Sequence, residues 1–401
     1  MKICIYLNIV SLVWAINVSA LEPEGTDTTT ANYNKHYAIK LSYQAGNVFP
    51  TNNFYRGTDS HGNQTNKNAA PIKYYHSASM QIGRQTDGSK LWQQLYAYPY
   101  WGIGLSGINF FNQNELGTPS AIYAFINAPF RRWEKFSLNY EIGFGIAFNW
   151  QPFNEDYNYY QIVIGSKKTA YFDAGLDITY QLSKRFNASV GYSLTHFSNG
   201  GIVQPDYGVN LGGLKIGIKY LFKDRPQFIK KEIPEYKKEN EWLIAINPGI
   251  KQVIFDTAYR KYVRVNYKVL GITSTYNWQT HHKSKWGAGI DFSYDGAINA
   301  QIDITDNKIS KVEYPFIDKF SIGIYPSYEL VCNKLSIILQ SGIYILRKKI
   351  NGRAPLFYQR IGVKYHILQN AFIGINVRAF EFTVADYIEW SIGYRIKWDR
   401  N

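Results

Sequence analysis

Cysteine is nearly missing from this chain of 401 residues, which has only Cys4 and Cys332. Cys4 falls in an N-terminal segment that reads as a cleaved leader. The mature chain therefore keeps one cysteine, and neither an intrachain disulfide nor a cysteine metal cluster is available to it. Beyond the leader no apolar run approaches the roughly 18 residues that a membrane helix needs. Helical integration is thereby excluded, leaving a soluble fold or a closed barrel. Charge is also scarce: Asp, Glu, Lys and Arg make up 18% of the residues, below the roughly 25% of ordinary soluble domains. A strand, a Gly-rich turn and a helix in the order that cradles phosphate are not found, so no nucleotide is implied.

What is abundant is aromatic. There are 34 Tyr and 23 Phe, with 17% aromatic residues and 32 Gly, a composition that suits the interface girdles of a transmembrane β-barrel. At the start, Lys2 precedes an apolar run from Ile3 to Val18, and the small residues Val18-Ser19-Ala20 precede a polar stretch. That pattern is a secretory signal peptide over residues 1–20, cut after Ala20.

From Tyr37 to Phe222 about eight segments alternate apolar and polar residues with the period of a strand. They begin near Tyr37, Lys73, Tyr96, Pro119, Lys135, Ala170, Phe186 and Val209. In the fifth, Phe136, Leu138, Tyr140, Ile142, Phe144, Ile146 and Phe148 share one face, and Ser137, Asn139, Glu141, Gly143 and Gly145 the other. A soluble sandwich would carry Lys and Glu on its outward face. Here carboxylates share the polar face with Lys215 and Lys219, as the filled lumen of a small barrel requires. Connector lengths agree: Asn47–Ile72, Phe110–Thr118, Trp150–Thr169 and Ser198–Gly208 are long or polar, whereas Arg131–Glu134 and Ser183–Arg185 are tight. Short inner turns and long external loops place the chain in a Gram-negative outer membrane. There the formal charge of +14 points to phosphate-bearing lipopolysaccharide and not to nucleic acid, with solvated loops and paired lumen charges an equal account of most of these residues.

A charged, proline-punctuated stretch over residues 223–240 reads as a periplasmic linker. About eight further strand patterns follow over residues 241–401, with tight turns at His281–Ser284 and Leu368–Asn370 and longer loops at Asp295–Asp318 and Arg347–Ala354. The fold expected is all-β: an antiparallel transmembrane barrel of about eight strands over residues 37–222, then a second, similar repeat. Two small, side-chain-filled barrels are favoured over one large channel. Phe186-Asn187-Ala188-Ser189-Val190 and Phe372-Ile373-Gly374-Ile375-Asn376 occupy matching places, which reads as an internal duplication.

The chemistry-bearing stretch is the seventh strand and its loop. Strict alternation from Phe186 through Leu194 carries His196 and Ser198 onto the lipid face, where an imidazole and a hydroxyl have no evident stabilising role. Residues two apart on a strand face lie about 6–7 Å apart at the backbone, which brings His196 within reach of Ser198, the first requirement for general-base activation of a serine. Asn199-Gly200-Gly201 follows, and its glycines free the backbone to turn N–H donors toward an ester oxyanion. His281-His282 reads as a solvated turn. Asp303, Asp306 and Asp318 lie in an external loop without calcium-site spacing, so no metal is expected.

The run His196-Phe197-Ser198-Asn199-Gly200-Gly201, with Gln204-Pro205 and Gly208, resembles the signature of the lipid A 3-O-deacylase family, also known as acyloxyacyl hydrolases. The resemblance is specific around this motif and looser over Tyr37 to Phe222, and it does not extend clearly into the second half. It implies an eight-stranded outer-membrane barrel that removes an ester-linked acyl chain from lipid A in the outer leaflet, without a cofactor. Carried over, Ser198 is the nucleophile, His196 the general base, and Asn199 with Gly201 the oxyanion region. The position of the family's triad Glu is Asn210 here, on the lipid face beside His196; an amide can orient a histidine but adds no charge to stabilise the imidazolium. Asp206, in the loop, offers an alternative acid. The competing expectation is a non-catalytic barrel, a pore or surface receptor, descended from a deacylase.

Overall fold

The computed structural model describes residues 36–256, 262–300, 302–305, 308–350, 354–381 and 384–399. The expected signal peptide, residues 1–20, lies outside them. Eight antiparallel strands close the first barrel: β1 (His36–Val48), β2 (Tyr74–Gln85), β3 (Tyr100–Asn109), β4 (Gly117–Arg132), β5 (Phe136–Trp150), β6 (Thr169–Gln181), β7 (Phe186–Ser198) and β8 (Val209–Leu221). Closure is made by β1 on β8, in register from Ala38 opposite Leu221 to Val48 opposite Leu211. The second half opens with β9 (Glu239–Asp256), β10 (Tyr262–His281) and β11 (Ser284–Asp295), followed by a small hairpin of β12 (Ile302–Thr305) and β13 (Lys308–Lys311). It continues with β14 (Phe320–Cys332), β15 (Leu335–Arg347), β16 (Phe357–His366), β17 (Ala371–Phe380) and β18 (Val384–Asp399). Without the hairpin these strands form a second closed barrel, β18 pairing β9. The chain is therefore two small barrels, and a single sixteen-stranded channel is excluded.

Alternation explains why each wall closes. On β5, Ser137, Asn139 and Glu141 are buried while Phe136, Phe144 and Ile146 are exposed. Exposed apolar side chains recur on β1, β3, β8, β9 and β18. Such a band is stable only against lipid, and closing the wall leaves no unpaired edge within it. The polar face turns inward and pairs with itself. In the first lumen Glu141 accepts from Lys40 at 2.9 Å and Lys215 at 2.8 Å, and Lys215 lies 3.3 Å from Asp173. In the second, Arg360 meets Glu389 at 2.5 Å and Asp291 at 3.0 Å, Arg378 bonds the same two carboxylates, and Glu329 takes Lys364 at 2.5 Å. Charges taken out of water this way hold only when paired and hydrogen-bonded.

Some boundaries differ from the sequence expectation. Tyr96 does not start a strand: it follows a short helix, Leu91–Leu95, inside a long connection between β2 and β3 at the end of the barrel that otherwise has tight turns. Arg131 and Arg132 belong to β4, and Glu239 and Asn240 to β9. The stretch joining the barrels lies along that β2–β3 connection. Phe228 stacks on Tyr98 with centroids 4.3 Å apart, and Ile229 donates its N–H to the Asp87 carbonyl at 2.8 Å. At the same end Tyr96 bonds the Val331 carbonyl of the second barrel at 2.8 Å.

Candidate active site

At the opposite, long-loop end of the first barrel, the connections after β1, β3, β5 and β7 fold over the lumen. Phe54, Tyr55, Leu116, Val163 and Ile164 from these loops join Phe197, Val209 and Leu211 from the strands in one buried core. This cap supports the loop from Asn199 to Gly208. Tyr55 donates to the Gly208 carbonyl at 2.9 Å, the Gly208 N–H to the Val163 carbonyl at 2.9 Å, and the Asn199 amide to the Val203 carbonyl at 2.7 Å.

Phe197 is fully buried inside the wall, so its neighbours His196 and Ser198 take the outward parity. His196 pairs directly with Asn210 across the β7–β8 ladder, and the His196 Nδ1 lies 2.7 Å from the Asn210 Oδ1. An amide oxygen can only accept, so Nδ1 carries the proton and Nε2 of the neutral ring is the basic nitrogen.

Ser198 ends the strand and is buried. Its hydroxyl accepts from the Gly200 N–H at 2.9 Å and donates to Asp206 Oδ2 at 2.7 Å. The same carboxylate oxygen accepts from the Asn199 N–H at 2.8 Å and from the Gly201 N–H at 3.4 Å. Gly200 and Gly201 lie at φ +68° and +79°, left-handed conformations that side chains seldom adopt and that turn both N–H groups into one nest. Burial pushes the Asp206 carboxyl up to about 6, against the hydrogen bonds from Ser198, Asn199 and Gly201 that favour its charge. Its other oxygen, Oδ1, is buried and has no partner among the described residues.

All six residues singled out from the sequence thus meet within one loop and two strand ends, but in two groups. The spacing argument puts His196 within reach of Ser198, whereas in the structure the hydroxyl proton is committed to Asp206. Asp206, expected as an alternative acid for the histidine, serves the serine instead, because the Asn199 side chain bonds both backbone groups of Val203 and folds the loop back over the Asn199-Gly200-Gly201 nest. Sequence reasoning missed the neighbours supplied by the second barrel. Gln252 Oε1 accepts from the Gln204 N–H at 2.9 Å, and Arg264 Nε donates to the Gln204 carbonyl at 2.8 Å. A Cβ placed on Gly200 would lie 2.7 Å from the Ile388 side chain. No spacing rule links positions this far apart in sequence.

The weaker candidates fall elsewhere. His282 bonds the Pro234 carbonyl at 2.8 Å and Asp318 lies 3.6 Å from Lys348; the side chains of Asp303 and Asp306 lie outside the described residues. Among the described residues no cluster of three His, Cys, Asp or Glu side chains could hold a metal ion.

Fold and site together define a transmembrane β-barrel protein with a serine, a histidine and a donor nest on its outward wall. Two family models match this chain: lipid A 3-O-deacylase (PagL) over residues 76–219, and the C-terminal domain of acyloxyacyl hydrolase over residues 240–398. The chain belongs to the lipid A 3-O-deacylase family, and with it to the ester hydrolases. No curated protein sequence matches it. Solved structures similar to it include the TodX deltaS2S3 mutant monoaromatic hydrocarbon channel, at 9% identity over 91% of this chain and 90% of that one, with a TM-score of 0.18. The Acinetobacter baumannii outer membrane protein Omp33 is similar at 8% identity over 91% and 99%, with a TM-score of 0.15.

Proposed function

We propose that the protein is an outer-membrane esterase that removes an ester-linked acyl chain from lipid A, with Ser198 as the nucleophile. Support comes chiefly from the convergence of the Ser198 hydroxyl and the N–H groups of Asn199 and Gly201 on one point, where the outward face of β7 runs into its loop. In the resting protein Asp206 Oδ2 fills that point. An entering ester carbonyl takes its place, receiving the two N–H groups that later stabilise the oxyanion. Ser198 attacks the carbonyl carbon; its proton passes to His196 Nε2, held in the right tautomer by Asn210, and on to the departing sugar hydroxyl. Water then cleaves the acyl-serine ester by the same route and releases the fatty acid.

A second reading of the base rests on the 2.7 Å bond from Ser198 to Asp206. A carboxylate raised to about 6 ionises near neutral pH and is matched to general-base work there. In this reading His196 and Asn210 position the chain and do not move the proton. The test of the function is fatty-acid release from lipopolysaccharide by the purified protein in detergent. Replacement Ser198→Ala should lower release by about 10³-fold or more; equal release from both proteins would overturn the proposal. His196→Ala and Asp206→Asn then separate the two bases, because only loss of the true base removes turnover to the level of Ser198→Ala.

A further inference from the structure

The loop from Asn199 to Gly208 is tied down from two directions. Its own barrel holds the far end, where Tyr55 and Val163 bond the two backbone groups of Gly208, and the Asn199 side chain bonds both backbone groups of Val203. The middle is held by the second barrel. Gln252 Oε1 accepts from the Gln204 N–H at 2.9 Å and Arg264 Nε donates to the Gln204 carbonyl at 2.8 Å, so both backbone groups of this residue are satisfied from the other cylinder. Ile388 and the Asp386 carbonyl stand against the two glycines of the nest, 2.7 Å from a Cβ placed on Gly200 and 3.1 Å from one placed on Gly201.

The residues that make these contacts form one patch. In the second barrel β9 pairs β10 on one side and β18 on the other; Asn266 lies directly across from Gln252, and Ile388 across from Ile250, two residues before Gln252. Gln252, Arg264, Asn266 and Ile388 all take the outward parity of Ile250 and Trp390, which are exposed. The patch is braced from behind. Asn266 Oδ1 accepts from Gln252 Nε2 at 2.8 Å, which leaves the Gln252 oxygen to face Gln204. On the inner side Lys251 bonds Asp386 at 2.5 Å and joins β9 to β18 where each meets the loop. The Arg264 guanidinium also lies 5.4 Å from the ring of Phe153, in the connection after β5 of the first barrel.

We propose that the second barrel is a built-in clamp for the serine loop, in which Gln252 and Arg264 are positioning residues that hold Gln204 and thereby fix Asp206 and the donor nest about the Ser198 hydroxyl. The inference rests on the esterase reading above. Gln204 stands two residues before Asp206, whose Oδ2 collects the Ser198 hydroxyl and the N–H groups of Asn199 and Gly201. Any drift of Gln204 is passed to that point of convergence, and a misplacement of about 1 Å among such groups costs about 10²-fold in rate. The second barrel thus serves the reaction without touching the reacting atoms.

The experiment takes two readouts from the full-length protein in detergent: amide hydrogen exchange over residues 199–208 without substrate, and kcat and KM for fatty-acid release from lipopolysaccharide. Gln252→Leu combined with Arg264→Ala should speed exchange across the loop about tenfold or more, while β5 to β8 keep their protection. Each substitution alone should lower kcat about fivefold, and the pair further, with KM unchanged. Leu keeps the volume of Gln, so a role in packing alone would leave turnover intact. Gln252→Glu, which keeps an acceptor, and Arg264→Lys, which keeps a donor, should both turn over as the unaltered protein does. Both positions are on the outward surface, so no substitution enters a packed core. Unchanged exchange in the double variant, or faster exchange with unchanged kcat, overturns the clamp and leaves the esterase standing. Release from the unaltered protein no greater than from a Ser198→Ala control overturns the esterase reading, whatever the exchange of the loop.

Discussion

The two barrels agree in strand number, closure and inward pairing, and they part company where the seventh strand meets the eighth. In the first, β7 and β8 are joined by the loop from Asn199 to Gly208, long enough to turn back on itself and aim three donors at one carboxylate oxygen. In the second, β17 ends at Phe380 and β18 begins at Val384, which leaves no length for such a nest. The second lumen is instead the more heavily charged, with two buried arginines against Asp291 and Glu389. Walls of the same strand number can thus serve one barrel as a platform for chemistry and the other as a support. The difference lies in one connection and not in the fold.

That division can be broken experimentally. The largest stability effect is expected from Glu329→Gln, which leaves Lys364 and Lys285 without their shared carboxylate. A buried pair broken on one side costs about 3–5 kcal/mol, so the second barrel should lose heat resistance on electrophoresis while fatty-acid release below its melting point persists. Loss of release at low temperature would mean that the two barrels do not divide the work. Next in size, Asn210→Glu supplies a charge behind His196. If the histidine is the base, turnover should rise about tenfold or more, since the opposite exchange costs a serine protease about 10⁴; no gain would favour Asp206.

Asp206 gives the pH signature. Its carboxyl stands at about 6 in the fold against an ordinary 3.8, so the folded state holds the proton more tightly, and the stability it contributes falls as pH rises between those values. If Asp206 is the base, activity should climb through pH 6 as its carboxyl ionises; a profile flat across pH 6 would favour His196. The smallest effect is expected from Arg264→Ala. Losing one hydrogen bond to the Gln204 carbonyl is worth about 1 kcal/mol, read as a roughly fivefold fall in kcat with Ser198 intact. Restoration by Arg264→Lys would show that a donor at this position is what the loop requires.

Most of the architecture was legible in the sequence because period-2 alternation and connector length are local properties, and a barrel is built almost wholly from them. Phe136 to Phe148 could be sorted into two faces by counting, and the structure sorts them the same way. The helix at Leu91–Leu95 escaped because a short helix within a connection leaves no periodic trace. At the site, parity placed His196, Ser198 and Asn210 on one wall. What it could not supply was the direction of the hydroxyl proton, which depends on how a loop of several residues folds back, or the approach of Ile388, Gln252 and Arg264. Those contacts arise from the packing of two closed units, and no pattern within either unit encodes them.

Sealing the first wall joins Ala38 to Leu221, and sealing the second joins Glu239 to Asp399. The two spans follow one another along the chain and never interleave. The serine-bearing cylinder can therefore complete its pairing without any strand of the second. The polypeptide asks its membrane for two modest insertions in succession, each with its own long-range pairing to complete.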